Sequence, residues 1–214
     1  MNEPLSENNK KFGTDFKIII VGNLSTGKTS IINRYINNNF KEICKATIAP
    51  EFSFKTIKYN GINFRAQFWD IPGQEPSPIV TSIFCRDTNG IIFCCEVNNE
   101  KSRKDILLWI NALKENIDIK NIPKILVENK CDLLKNEENI NDYFEELKKF
   151  SEENNFSGCF RVSALNGYNN EKSITFLISE IAKGFDEEDF KTLEETSFML
   201  DSTKTYISDN KKCC

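Results

Sequence analysis

The 214-residue sequence predicts an α/β fold with a six-stranded, mostly parallel sheet, one antiparallel strand and five helices on both faces. Apolar, strand-like runs alternate with helical patterns along most of the chain, and a glycine-rich loop at 22–29 joins the first run to the first helix. Asn60-Gly61 separates two strand-like runs by two residues. This dipeptide is typical of a tight hairpin turn, so we expect those two strands to be antiparallel.

The predicted elements follow from the period of the apolar residues. The strands are expected at 16–21, 51–59, 62–70, 90–97, 124–129 and 158–162. The helices are expected at 29–37, 80–86, 102–116, 141–153 and 172–183. Parallel strands separated by helices place ligands beyond the carboxyl ends of the strands, so the loops after the strands are the first place to look for a site.

Composition divides the chain into three parts. Residues 1–14 are polar and predict a disordered extension, 15–184 form the folded domain, and 185–214 form a flexible acidic tail. The net charge of −4 argues against nucleic-acid binding. Histidine is absent, which excludes Ser–His and Cys–His nucleophile pairs and histidine zinc sites. We expect neither a transmembrane helix nor a secretory signal, and free thiols at the scattered cysteines.

Residues 22–29 have the pattern GxxxxGKT and follow the first predicted strand directly. The backbone N–H groups of such a loop wrap a phosphate chain, Lys28 can reach the terminal phosphates, and the Thr29 hydroxyl can bind Mg²⁺. The helix that follows directs its positive dipole end at the same anion. A glycine-rich surface turn would not explain why Lys and Thr occupy both required positions.

Three further segments also follow predicted strands. Asn129-Lys130-Cys131-Asp132 supplies a carboxylate for the N1–H and amine of guanine, a pattern that adenine does not match. The segment 69–75 contains Asp70, which can hold the Mg²⁺ shell, together with Gly73 and Gln74. The fourth segment is Ser163-Ala164-Leu165.

In this order and spacing, the four motifs resemble those of the Ras superfamily of small GTPases, and within it the Rab family. The resemblance covers roughly residues 12–184 and the extreme C-terminus. Leu24, residues 46–48, residues 69–71 and Cys131 are similar to the Rab subgroup that serves lysosome-related organelles. The resemblance implies a P-loop small GTPase domain that binds GTP or GDP with Mg²⁺.

Residue roles are carried over from the resemblance position by position. Lys28 and Gln74 are the expected catalytic residues, with Gln74 orienting the attacking water. The expected metal ligands are Thr29, Asp70 and, in the GTP state, Thr47. The expected nucleotide-binding residues are Asn23, Leu24, Ser25, Thr26, Gly27, Lys28, Thr29, Ser30, Phe40, Thr47, Gly73, Asn129, Lys130, Asp132, Leu133, Ser163, Ala164 and Leu165.

The resemblance also implies protein and membrane partners. Phe52, Trp69 and Phe84 match the aromatic triad of the Rab effector face; without the resemblance, ordinary core burial would explain them. Expected partners are effectors, an exchange factor, a GTPase-activating protein and an escort or GDI protein. Cys213 and Cys214 match a double geranylgeranylation signal, which places the protein on the cytoplasmic face of an endomembrane, cycling with the cytosol.

Departures from the family pattern lie mainly in the segments that sense the γ-phosphate. They are Leu24, Cys44, Ala49-Pro50, Pro72, Pro76-Ser77-Pro78 and Leu165. Leu24 would crowd the space of Gln74 and of an incoming arginine finger, and Pro72 stiffens the hinge before Gly73. Two interpretations follow: a slowly hydrolysing GTP/GDP switch in vesicle trafficking, or a hydrolysis-impaired, constitutively GTP-bound scaffold. An ATP-dependent P-loop kinase is disfavoured because the NKxD pattern selects guanine.

Overall fold

The computed structural model describes residues 15–42, 46–59, 62–74, 76, 82–134 and 137–185, and for 62 and 137–143 it describes the backbone alone. The strands are β1 (Asp15–Val21), β2 (Glu51–Tyr59), β3 (Ile62–Asp70), β4 (Gly90–Glu96), β5 (Lys124–Asn129) and β6 (Gly158–Arg161). The helices are α1 (Lys28–Asn37), α2 (Glu100–Lys104), α3 (Ile106–Lys114), α4 (Glu137–Glu153) and α5 (Asn170–Ala182), with a 3₁₀ turn at Cys131–Leu133.

The six strands form one sheet in the order β2-β3-β1-β4-β5-β6. β1 pairs with β3 and β4 in parallel, and β4–β5 and β5–β6 are parallel as well. β2 and β3 are antiparallel over their full length, from Glu51 opposite Asp70 to Tyr59 opposite Ile62. The predicted fold class is therefore confirmed; the turn at 60–61 lies outside the described residues.

The third predicted helix is wrong as a single element. Asn99 caps α2 by accepting a hydrogen bond from the Ser102 N–H at 3.0 Å, so the helix starts two residues earlier than predicted. The chain then breaks at Asp105 before α3 begins. Of the predicted helix 80–86, residues 82–84 are helical, 85–87 form a bend and turn, and 80–81 lie outside the described residues.

The core lies in two layers because β1 is buried on both faces. Ile18 and Ile20 pack with α1 and α5, whereas Ile19 and Val21 pack with α3 and α4 on the opposite face. Both layers fix the carboxyl edge of the sheet, where the loops after β1, β3, β5 and β6 converge. Within the described ranges, every helix is too short or too polar to cross a membrane.

Candidate nucleotide site

A cavity of about 600 Å³ opens at the carboxyl edge of the sheet. All the predicted nucleotide-binding residues line it except Asn23, Thr26 and Ser163. Lys41, Glu42 and Ala46, which the sequence analysis did not select, also line it. Motifs more than a hundred residues apart in the chain therefore share one cavity.

The phosphate-loop segment after β1 holds Lys28 at the floor of this cavity. Lys28 is 6% exposed, and its Nζ donates to the carbonyls of Gly22 at 2.9 Å and Asn23 at 3.0 Å. Gly22 (φ +139°) has no room for a side chain, since a Cβ would lie 2.0 Å from the Cys94 carbonyl oxygen. Close packing on β4 thus requires glycine where the loop leaves the strand.

Three oxygen-bearing side chains meet beside Lys28. Thr29 Oγ1 donates to Asp70 Oδ2 at 2.5 Å and lies 3.1 Å from Thr47 Oγ1, which is 3.3 Å from the same carboxylate oxygen. The other oxygen, Asp70 Oδ1, is buried and has no hydrogen-bond partner among the described residues. Two hydroxyls and a carboxylate with a free, buried oxygen are a donor set that fits Mg²⁺.

Burial disfavours the charged forms of Lys28 and Asp70. It lowers the pKa of Lys28, against the opposing attraction of Cys94 and Asp70. It raises the pKa of Asp70, against a hydrogen bond from Thr29 and the charge of Lys28. An anion next to Lys28 and a cation next to Asp70 would each offset this desolvation.

Gly73 packs directly onto the phosphate loop. A Cβ at this position would lie 2.4 Å from Lys28 Nζ and 2.6 Å from both the Asn23 carbonyl carbon and the Gly22 carbonyl oxygen. The next residue, Gln74, is exposed. Leu24 is 48% exposed and lines the cavity together with Gly73. The segment after β3 therefore reaches the phosphate loop only because residue 73 has no side chain.

The segments after β5 and β6 form the other end of the cavity. Asn129, 1% exposed, donates from Nδ2 to the Thr26 carbonyl at 2.9 Å and accepts from the Ala164 N–H at Oδ1 at 3.1 Å. Ser163 Oγ donates to Asp132. Asn129 thus connects the phosphate loop to the loop after β6, while the half-exposed Leu133 and Leu165 line the opening.

Lys130, at the same end, has a left-handed backbone (φ 65°) and pairs with Glu96 at 2.9 Å. Arg34 of α1 also supports this end, although sequence reasoning missed it. Its Nε donates to the Ala164 carbonyl at 2.8 Å, and a second guanidinium nitrogen donates to the Leu165 carbonyl. A lone arginine on a helix gives no pattern that would reveal such a contact.

Phe52, Trp69 and Phe84, the predicted effector residues, lie together. The ring centroids of Phe52 and Trp69 are 5.3 Å apart, and those of Trp69 and Phe84 are 6.2 Å apart. Phe52 is 61% exposed, and Lys17 Nζ lies 4.6 Å from the centre of the Trp69 ring. Cys44, Cys213 and Cys214 lie outside the described residues.

Comparison with known proteins agrees with this arrangement. Residues 17–183 match the Ras family. The chain is 32% identical to Ras-related protein Rab-32C of Dictyostelium discoideum, with 92% of this chain and 87% of that protein covered. Identity is 34% to Ras-related protein Rab-32A of the same organism, covering 78% of each chain, and 28% to human Ras-related protein Rab-32, covering 93% and 89%.

The fold, the phosphate loop and these matches define the class: the chain belongs to the Ras family of small GTPases. Within that family it is a Rab of the Rab-32-like subgroup. It is accordingly a GTP-binding switch of membrane trafficking.

Proposed function

We propose that this Rab binds GTP or GDP together with Mg²⁺ in the 600 Å³ cavity, and that it hydrolyses GTP slowly. One observation carries the proposal: Asp70 Oδ1 is buried with no hydrogen-bond partner in the described part of the chain, on a carboxylate that contacts Thr29 and Thr47 beside the phosphate-loop Lys28. A buried carboxylate oxygen without a partner is costly unless a cation or donor satisfies it.

In this proposal, Thr29, Thr47 and Asp70 would hold Mg²⁺, whose charge would offset that of the phosphate oxygens. Lys28 would bind the terminal phosphates, and the Gly73 N–H would donate to the γ-phosphate. Thr47 and Gly73 come from different loops that line the same cavity, so a third phosphate bound there would stabilise both loops in this arrangement, and its loss would remove that support. That is the physical basis of a switch between GTP and GDP states.

For the base, we assign recognition to Asp132, with Asn129 and Ala164 holding the loops that frame it. Lys130 and Phe40 also line the cavity, and the half-exposed Leu133 and Leu165 would supply apolar surface for the ring. This gives every predicted nucleotide residue a role in lining or bracing the cavity.

Slow hydrolysis is proposed because of Leu24. Its side chain is half-exposed and lines the same cavity as Gly73. Gly73 directly precedes Gln74, the residue that would orient the attacking water. Pro72 has no N–H and restricts the backbone before Gly73. Intrinsic hydrolysis in this class is on the order of 10⁻⁴ s⁻¹, and an arginine finger adds about 10³–10⁵-fold, so a blocked approach leaves GTP bound for long periods.

Single-turnover hydrolysis of GTP tests this proposal. Leu24→Ala should hydrolyse GTP faster than the wild type, and Gln74→Leu should abolish the remaining rate. Leu133→Ala is the matched control, since it removes an equally exposed leucine from the base end of the cavity. A wild-type rate for Leu24→Ala would refute Leu24 as the brake.

A hydrolysis-impaired scaffold that stays GTP-bound is the second candidate function, and the position of Leu24 favours it. The two are separated by Gln74→Leu: a slow enzyme loses its remaining activity, whereas a scaffold has none to lose. In either case the face formed by Phe52, Trp69 and Phe84 is the proposed site for GTP-state effectors, and an exchange factor and GTPase-activating protein are the proposed regulators.

We assign membrane attachment to geranylgeranyl groups on Cys213 and Cys214, on a tail extending from residue 185, with residues 1–14 as an N-terminal extension to the 15–184 domain. Two prenyl chains are sufficient for stable anchoring. The cytoplasmic face of an endosomal or lysosome-related membrane is the proposed location, with an escort or GDI protein carrying the cytosolic pool. Two unmodified terminal thiols, measured by mass spectrometry of protein from cells, would contradict the assignment.

A further inference from the structure

The first variable residue of the phosphate loop, Asn23, points its side chain away from the cavity and towards α3. Its Nδ2 donates to Asp105 Oδ2 at 2.7 Å, and its Oδ1 accepts from Trp109 Nε1 at 3.2 Å. We propose that Asp105 and Trp109 are positioning residues for the phosphate-binding loop: they hold Asn23, and through it Lys28. The proposal rests on the nucleotide function assigned above.

The backbone of Asn23 supplies the second half of this connection. Its carbonyl accepts from Lys28 Nζ at 3.0 Å and from Thr26 Oγ1 at 2.9 Å. Gly73 is packed so closely that a Cβ there would lie 2.6 Å from the carbonyl carbon of Asn23. The side chain of Asn23 therefore contacts Asp105 and Trp109, whereas its backbone carbonyl accepts a hydrogen bond from the ammonium group of Lys28.

The chemistry of the three groups fixes the orientation of the amide. The indole N–H of Trp109 can only donate, so the amide oxygen must face it, and the amide NH₂ must then face the carboxylate of Asp105. Trp109 is 1% exposed, and a buried indole N–H requires an acceptor. Asn is thus the residue type that satisfies both neighbours at once.

Asp105 and Trp109 contact Asn23 from the same helical segment. Asp105 is the one residue that separates the two helices, and Trp109 follows it one helical turn later on the buried side of α3. Because residues four apart lie on the same helix face, both side chains reach residue 23. The side chains of Asp105 and Trp109 therefore contact the phosphate loop from one face of this helical segment.

Exchange of the partners tests the inference. Asn23→Asp places two carboxylates against each other, and Asp105→Ala removes the acceptor; each should release GDP about tenfold faster, equivalent to about 1.4 kcal/mol. In the double variant Asn23→Asp/Asp105→Asn, the amide introduced at 105 donates to the carboxylate introduced at 23, whose other oxygen still accepts from Trp109 Nε1, so its release rate should return to near that of the wild type. Asp118→Ala, an exposed aspartate beyond α3, is the matched control.

Stopped-flow release of a fluorescent GDP analogue gives the rates, and ³¹P NMR of bound Mg²⁺·GDP reports on the loop itself. The β-phosphate resonance should shift in Asn23→Asp and return in the exchanged double variant. Wild-type protein that fails to bind GDP would overturn the proposed function. If the wild type binds GDP but the single variants release it at the wild-type rate, only the positioning role is overturned. The same holds if the double variant releases GDP as fast as the single variants.

Discussion

Replacement of Asn129 by alanine should separate the two ends of the nucleotide cavity. The amide of Asn129 connects the Thr26 carbonyl of the phosphate loop, at 2.9 Å, with the Ala164 N–H of the loop after β6, at 3.1 Å. Asn129 is 1% exposed, so water cannot readily replace its amide in either contact. The variant would leave the Ala164 N–H and one lone pair of the Thr26 carbonyl without their partner.

The magnitude follows mainly from the contact with Ala164. Its N–H left unsatisfied costs about 1–3 kcal/mol, whereas the Thr26 carbonyl keeps Cys94 Sγ as a donor at 3.5 Å. If the bound state bears this cost, GDP affinity falls by about 5-fold to 150-fold. Asn129→Asp should be at least as severe, because it keeps the acceptor for Ala164 but directs a carboxylate oxygen at the Thr26 carbonyl.

Isothermal titration of GDP in Mg²⁺ buffer is the assay, with stability followed in parallel by urea unfolding. Asn121→Ala is the matched control, since it removes an exposed asparagine whose Nδ2 bonds Asp118 at 2.7 Å. An Asn129→Ala variant that binds GDP within about threefold of the wild type would refute the reasoning, because that change is less than 1 kcal/mol.

Three other outcomes are expected. Arg161→Met removes the guanidinium that lies 2.6 Å from the buried Glu128 carboxylate. The free energy of unfolding, measured in urea, should fall by about 3–5 kcal/mol. Adding Glu128→Leu should recover most of this loss, and no recovery would contradict this account. Burial raises the pKa of Cys94 from 9.0 to about 11, so the folded state holds a proton that the unfolded state releases. Stability should therefore fall between about pH 9 and 11, by on the order of 2 kcal/mol at this one residue, and Cys94→Ala should flatten that part of the pH profile; an unchanged slope would contradict the assignment. Thr29→Ala removes a proposed Mg²⁺ ligand and should make GDP release insensitive to EDTA, whereas release from the wild type should accelerate; equal acceleration in both proteins would argue against Thr29 as a ligand.

The sequence predicted best those features that have a local pattern. The bounds of β2 and β3 agree with prediction because two strand-like runs flank an Asn-Gly pair. Most residues of the predicted nucleotide motifs line one cavity because these motifs follow the ends of strands in the same sheet. The break at Asp105 was missed because Ile106, Trp109 and Leu113 have the regular apolar spacing of a helix. This spacing gives no information about where the helix begins.

Long-range support contacts could not be predicted for a different reason. The hydrogen bonds of Asn23 with Asp105 and Trp109, and those of Arg34 with the 164–165 loop, join residues about 80 to 130 positions apart. None of these residues belongs to a motif that names its partner. Single-sequence periodicity reports which face of an element is buried, and leaves open which polar side chain on that face meets which loop.

The sheet order has a practical consequence for protein engineering. The exposed turn at 120–121 divides the chain so that residues up to 120 carry the phosphate loop, Thr47 and Asp70, and residues from 121 carry Asn129, Asp132 and Ala164. Neither fragment holds a complete cavity, and the β4–β5 pairing is the seam between them. A bound guanine nucleotide would contact residues of both fragments and so stabilise their association. If each fragment is fused to one half of a reporter enzyme, the reporter signal should therefore depend on the nucleotide.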